Sequence, residues 1–176
     1  MIDKILALHR ALRAAKIPHA FGGALALAWC VRDPRTTADI DLNIFLTPDR
    51  IDEALAVLPS EVVWSETELR LLKRDGQARL QWDDTPVDLF FSVDDFHEGV
   101  SARYREHPIG GEVVPFLACS DLAVFKAFFD RDKDWVDLAT MSDAGTIDPA
   151  ALTATIAYYL GADDPRLAKI RRLPRQ

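Results

Sequence analysis

The 176-residue sequence predicts an α/β (α+β) fold: a short sheet flanked by helices, followed by a helical C-terminal segment. Three observations carry this. Helical periodicity alternates with short strand-like runs over residues 1–118, Gly22-Gly23 stands between a strand pattern and a helix pattern, and residues 119–176 read as helix after helix. The expected organisation is a core at 1–118 and a helical segment at 119–176 packed on it as one unit.

Taken in order, Ile2 to Lys16 places Ile5, Leu6, Leu8 and Leu12 on one face and Lys4, Arg10, Arg13 and Lys16 on the other, and Pro18 ends that helix. Ile17 to Phe21 reads as a short strand delivering Gly22 and Gly23, and Ala24 to Trp29 as an alanine-rich helix. Arg32-Asp33-Pro34 forms a loop, Asp39 to Leu46 a strand, and Thr47-Pro48 the start of a helix reaching about Leu58. Residues 69–74 and 78–82 read as two strands of a hairpin around Asp75-Gly76, a strong type I′ turn signal. Val87 to Ser92 is the next strand, with Asp88 facing the same way as Phe90. Asp94 to Tyr104 reads as a helix, Gly110-Gly111 as a turn, and Val113 to Phe116 as a short edge strand. Ser120 caps a helix through Phe129, a second runs from about Lys133 to Met141, and Pro149–Leu160 and Pro165–Arg172 complete the tail, whose basic end holds Lys169, Arg171, Arg172 and Arg175. There is no internal repeat and no low-complexity linker.

Composition excludes several classes. A net charge of −7 argues against a surface coated with basic residues for nonspecific nucleic-acid binding. Cys30 and Cys119 stand in no ligand-spaced cluster, so neither a disulfide framework nor a zinc site is expected, and His9, His19, His97 and His107 are scattered. Met1-Ile2-Asp3-Lys4 lacks a signal pattern and no apolar run spans a bilayer, so a cytoplasmic protein without a membrane partner is expected. No Gly-x-Ser-x-Gly elbow, P-loop or Rossmann fingerprint is present, which disfavours serine hydrolase, P-loop ATPase and dehydrogenase readings.

The chemistry concentrates around the glycines and Asp39-Ile40-Asp41. On a strand Asp39 and Asp41 emerge on one side while Ile40 and Leu42 point into the core. Two carboxylates so close are costly without a cation between them, and Mg²⁺ takes just such hard oxygen ligands together with water and substrate phosphates. Glycines without Cβ let backbone N–H groups approach a phosphate closely, and a helix opening at Gly23 supplies an anion site. Thr37 shares the alternation of Asp39, so its hydroxyl is within reach of the site. Arg35 is either a phosphate contact or the partner of a surface acid. Lys126 is either a phosphate contact or a lysine whose stem lies along an apolar helix face, and Arg131, with Lys133 and Asp137, is either a site residue or part of a helix-terminal ion-pair cluster. Asp134 is a candidate cap.

Gly-Gly, a helix-length spacer, Asp-x-Asp on a strand and Asp88 on a later strand together resemble the DNA polymerase β-like nucleotidyltransferase superfamily. Gly22-Gly23-Ala24-Leu25, the Arg35-to-Leu42 run, Asp121 to Lys126 and Asp130 to Leu138 are similar to the ordered blocks of its small bacterial AbiEii/AbiGii toxin-like members. The spacer carries Asp33-Pro34 as an apparent insertion, and the glycine pair replaces the Gly-Ser of many members. The resemblance implies a short mixed sheet and metal-dependent transfer of a nucleoside monophosphate from an NTP, ATP among them, to a hydroxyl acceptor, with release of pyrophosphate. It implies Asp39, Asp41 and Asp88 as catalytic residues and metal ligands for two Mg²⁺ ions, with Mn²⁺ as the substitute. Gly22, Gly23, Arg35, Thr37, Lys126 and Arg131 are the implied nucleotide-binding residues. The acceptor stays open between RNA or tRNA, a protein and a small molecule such as an aminoglycoside, as does a toxin–antitoxin setting with a cognate antitoxin or partner protein. A noncatalytic nucleotide-binding or partner module is the alternative from another class.

Overall fold

The computed structural model describes residues 1–33 and 36–174, which divide into two compact units, one of residues 1–25 and 36–117 and one of 26–33 and 118–174. The first holds a seven-stranded mixed sheet: β1 (His19–Phe21), β2 (Ile40–Ile44), β3 (Val62–Val63), β4 (Gln77–Trp82), β5 (Thr85–Phe91), β6 (Arg105–Ile109) and β7 (Glu112–Phe116), in the order β3-β4-β5-β2-β1-β7-β6. The pairs β2/β5 and β1/β7 are parallel and the other four antiparallel.

Residue choice explains the central strands. β5 alternates buried Thr85, Val87, Leu89 and Phe91 with half-exposed Pro86, Asp88 and Phe90, which puts one face in the core and leaves the other for polar groups. Ile40, Leu42 and Ile44 of β2 are fully buried beside Val87 and Leu89. The first helix, α1 (Ile2–Ala14), buries Ile5, Leu6, Leu8, His9 and Leu12, and its Lys4 ammonium donates to the Trp82 carbonyl at 2.9 Å and the Thr85 hydroxyl at 3.0 Å.

Several expectations are corrected. Residues 69–74 are not a hairpin strand: α4 (Glu66–Asp75) is a helix, started by a capping box between Ser65 and Glu68 and ended by Gly76 at φ +68°. Asp-Gly suits a left-handed helix C-cap as well as a type I′ turn, and the capping box decides between them. The hairpin that forms is β4–β5, closed at Trp82 opposite Thr85. The segment expected to be one helix from Thr47 divides into a 3₁₀ turn at Pro48–Arg50 and a short α3 (Ile51–Leu55). The helix expected over 94–104 is only α5 (Asp95–Val100), and the residues after it form β6, which pairs with β7. β7 is consequently an inner strand and β6 the edge. Asp39 lies just before β2 rather than inside it.

The helix after the glycines, α2 (Gly23–Val31), begins in the first unit and ends in the second. The second unit also holds α6 (Cys119–Phe129), α7 (Asp132–Asp143), α8 (Pro149–Leu160) and α9 (Arg166–Ile170). Ala118, not Ser120, occupies the N-cap of α6. Within this unit Cys30 and Cys119 are joined in a disulfide across 89 residues of sequence, against the expectation of none. Two cysteines that far apart carry no local spacing signal, so only the fold brings them together. No helix among the described residues is long and apolar enough to cross a membrane.

Candidate active site

Strand register builds the site. Phe21 pairs with Leu42, so Gly22 lies beside Asp41, and the Gly22 N–H donates to the Asp41 carbonyl at 2.8 Å. Asp41 pairs in parallel with Asp88, and Asp88 pairs with Arg79 of β4. Paired positions of neighbouring strands share a face, so Arg79, Asp88 and Asp41 form one row across three strands, with Gly22, the residue after β1, at its end. Asp39, two residues before Asp41, lies along the same face.

Arg79 carries no local signal in the sequence, and it binds two of the three acids. Its Nε and one terminal nitrogen donate to the two oxygens of Asp88, both at 2.7 Å, and that nitrogen also reaches Asp39 at 3.4 Å. This bidentate fork is the stronger form of carboxylate recognition, and the hydrogen bonds to Asp88 push the guanidinium further toward its charged form. The Asp88 side chain is 16% exposed and that of Asp39 32%, whereas Arg79 reaches outward at 58%. Thr37 orients Asp39 as well, its hydroxyl donating to Asp39 Oδ1 at 2.7 Å.

The glycines are required by what stands next to them. Gly23 has φ +51°, and a Cβ there would lie 1.8 Å from Asp41 Oδ2 and 2.4 Å from its Cγ. A Cβ on Gly22 would meet Asn43 Nδ2 at 2.9 Å and Leu117 Cδ1 at 3.1 Å. The turn into α2 therefore fits the Asp41 carboxylate only because no side chain is present.

Of the other sequence candidates, Arg35 lies outside the described residues. Lys126 and Arg131 belong to the second unit, where both engage Asp134. Lys126, 6% exposed, donates to Asp137 at 2.7 Å and lies 3.6 Å from Asp134; Arg131 binds Asp134 at 2.6 and 3.1 Å. Asp134 is fully buried between them and also accepts from the Arg131 backbone N–H, so it is the N3 residue of the capping box that starts α7, whose N-cap is Arg131.

The oxygen donors of Asp39, Asp41 and Asp88 suit a hard divalent ion by chemistry. Among the described residues, however, no three His, Cys, Asp or Glu side chains are arranged to hold a metal, and the cation bound to Asp88 and Asp39 is Arg79.

No family model matches the sequence, and no curated protein matches it. Solved structures do. The antibiotic-resistance factor ANT(2'')-Ia in solution aligns over 90% of this chain and 90% of its own, with a TM-score of 0.58 at 14% identity. The same protein in complex with adenylyl-2''-tobramycin covers 97% of this chain and 96% of its own, at 0.54 and 14%. An antigenic nucleotidyltransferase-like protein from Paracoccidioides brasiliensis aligns over 98% of this chain and 94% of its own, at 0.51 and 18%. At these identities the likeness shows a shared fold: the chain has the mixed α/β fold of nucleotidyltransferases.

Proposed function

We propose that this chain is a metal-dependent nucleotidyltransferase that moves a nucleoside monophosphate from an NTP to a hydroxyl acceptor. The observation that carries the reading is the row Arg79–Asp88–Asp41–Gly22 with Asp39 beside it, in which carboxylates converge next to a glycine turn and the start of a helix. A plain acidic surface gives no reason for a glycine whose Cβ would strike Asp41.

Asp39, Asp41 and Asp88 would hold the metal ions, Mg²⁺ first and Mn²⁺ as a substitute. Bound metal supplies neutralisation of charge on the attacking and leaving oxygens of an in-line displacement. Thr37 fixes the rotamer of Asp39 by its hydrogen bond, so that carboxylate is preorganised. Gly22 and Gly23 open the backbone to the phosphates, and the unpaired N–H groups of the first turn of α2 favour negative charge. Asp88, on the strand adjoining Asp41, would orient or deprotonate the incoming hydroxyl. Arg35 enters the proposal from the sequence alone. Lys126 and Arg131 enter it as framework residues of the helical unit, since each is held by acids there.

Among acceptors, a small cationic molecule is the second reading to carry forward. Two observations favour it: the net charge of −7, and likeness over nearly the whole chain to a protein solved with adenylyl-2''-tobramycin. A toxin role, an RNA acceptor and an antitoxin partner rest on sequence resemblance alone. The test is pyrophosphate release from each NTP with Mg²⁺ over aminoglycosides and tRNA, in the wild type and Asp41→Asn. Release that needs one acceptor class and disappears in the variant supports the reading. Failure to release pyrophosphate or to bind any NTP sinks it in favour of a noncatalytic partner module.

A further inference from the structure

Arg79 lies on β4, the strand next to that of Asp88 and two away from that of Asp41, and three features of its placement belong together. It takes both oxygens of Asp88 and reaches an oxygen of Asp39, which are the lone pairs a divalent ion would need. It is permanently charged at any working pH, so it cannot give up its hold by losing a proton. Its side chain is 58% exposed, so the guanidinium can turn away without breaking a packed core.

We propose that Arg79 is a resident counter-cation of the acid row that a divalent metal must displace, and that once displaced it positions the phosphates of the nucleotide donor. This rests on the reading of Asp39, Asp41 and Asp88 as metal-binding residues. Without metal, the guanidinium offsets the repulsion among carboxylates brought into one row, a repulsion that register alone would otherwise impose. With metal, the two cations contend for the same oxygens, and the guanidinium has a substitute of matching shape: its planar fork binds a phosphate as it binds a carboxylate. Arg79 is therefore a positioning residue, coupling metal entry to donor binding. Because binding free energies are reciprocal, Arg79 must weaken metal binding in the absence of nucleotide by the factor by which metal loosens Arg79 from the acids.

The experiment uses Mn²⁺ as the probe, titrated by electron paramagnetic resonance and calorimetry into the full chain without nucleotide. The proteins are the wild type, Arg79→Ala, Arg79→Gln, Arg79→Lys and Asp41→Asn. Removing the guanidinium, in Arg79→Ala or the length-preserving Arg79→Gln, is expected to tighten Mn²⁺ binding about fivefold, a modest factor because the ion pair is half-exposed. Arg79→Lys, which keeps the charge and loses the fork, is expected to fall between. In a second titration with the metal held saturating, ATP is expected to bind more weakly to Arg79→Ala than to the wild type, with partial rescue by Arg79→Lys. A merely structural arginine would change thermal stability and leave both affinities alone. Unchanged Mn²⁺ affinity in Arg79→Ala and Arg79→Gln, with Asp41→Asn still abolishing binding, overturns the role of Arg79 while leaving the metal-binding acids in place. Mn²⁺ binding that is indifferent to Asp41→Asn overturns both.

Discussion

Gly23→Ala separates backbone strain from damage to the site, because the protein supplies its own control. The methyl group would lie 1.8 Å from Asp41 Oδ2 in a residue at φ +51°. Gly111, in the β6–β7 turn, has φ +85°, and a Cβ there meets nothing within 4 Å. Both substitutions put an L-residue into the left-handed region, at a cost of roughly 1–2 kcal/mol. For a chain of this size that lowers the unfolding midpoint by roughly 2–8 °C in either variant. Only Gly23→Ala also forces the Asp41 carboxylate to retreat by about 1 Å or more to reach ordinary contact, and a displacement of that order in a catalytic group costs about a hundredfold in rate. The assay is thermal unfolding of both variants with and without Mg²⁺ and each NTP, followed by pyrophosphate release with the acceptor once it is found. Gly23→Ala is expected to lose the Mg²⁺- and NTP-dependent stabilisation while Gly111→Ala keeps it. If Gly23→Ala keeps the ligand response, or Gly111→Ala loses it equally, the close approach of Gly23 to Asp41 has no functional meaning.

Three further outcomes are expected. Lys126→Ala leaves the buried Asp134 and its neighbour Asp137 without the ammonium that binds them, so stability measured by urea unfolding should fall by about 3 kcal/mol; an unchanged midpoint would remove the framework role of Lys126. Burial pushes the pKa of His97 down to about 4 and that of His19 likewise to about 4, so the unfolded chain binds more protons than the folded one between about pH 4 and 6.5. Stability from these groups is complete above pH 6.5 and declines on acidification, by roughly 3 kcal/mol for each near pH 4. The slope in unfolding free energy over that window should flatten in His97→Phe, which keeps a ring beside Phe45, and an unaltered slope would refute the assignment. Reduction of the Cys30–Cys119 disulfide releases an 89-residue separation, worth about 4–5 kcal/mol by chain entropy, and should lower the midpoint accordingly; equal midpoints with and without dithiothreitol would contradict it.

The parts of the site that sequence reveals are those written in local order. Gly22-Gly23 before a helix pattern, and acids at 39 and 41 alternating with Ile40 and Leu42, declare both the turn and the shared face, and the buried alternation of β5 marks the half-exposed Asp88. Arg79 is invisible at that level. A basic residue between Ala78 and Leu80 reads as a solvated position until the pairing of β4 with β5 sets it opposite Asp88. The same holds for Cys30 and Cys119, which only the fold of the second unit joins. Helix α4 does carry a local signal: Ser65 and Glu68 form a capping box, and it outweighs the turn preference of Asp75-Gly76. β6 is hidden because Arg105-Glu106-His107-Pro108-Ile109 is polar, contains proline and lacks the apolar alternation that marks β5, as an edge strand can.

In the proposed function the carboxylates beside the glycine turn bind a nucleotide together with a metal ion. The most direct measurement is calorimetric titration of each of the four NTPs, with and without Mg²⁺, into the wild type and Asp41→Asn. At least one NTP is expected to bind only when Mg²⁺ is present, with affinity about tenfold or more weaker in the variant, as befits loss of a half-buried charged ligand group. Absence of binding for all four, or binding that neither Mg²⁺ nor Asp41→Asn alters, would contradict the account.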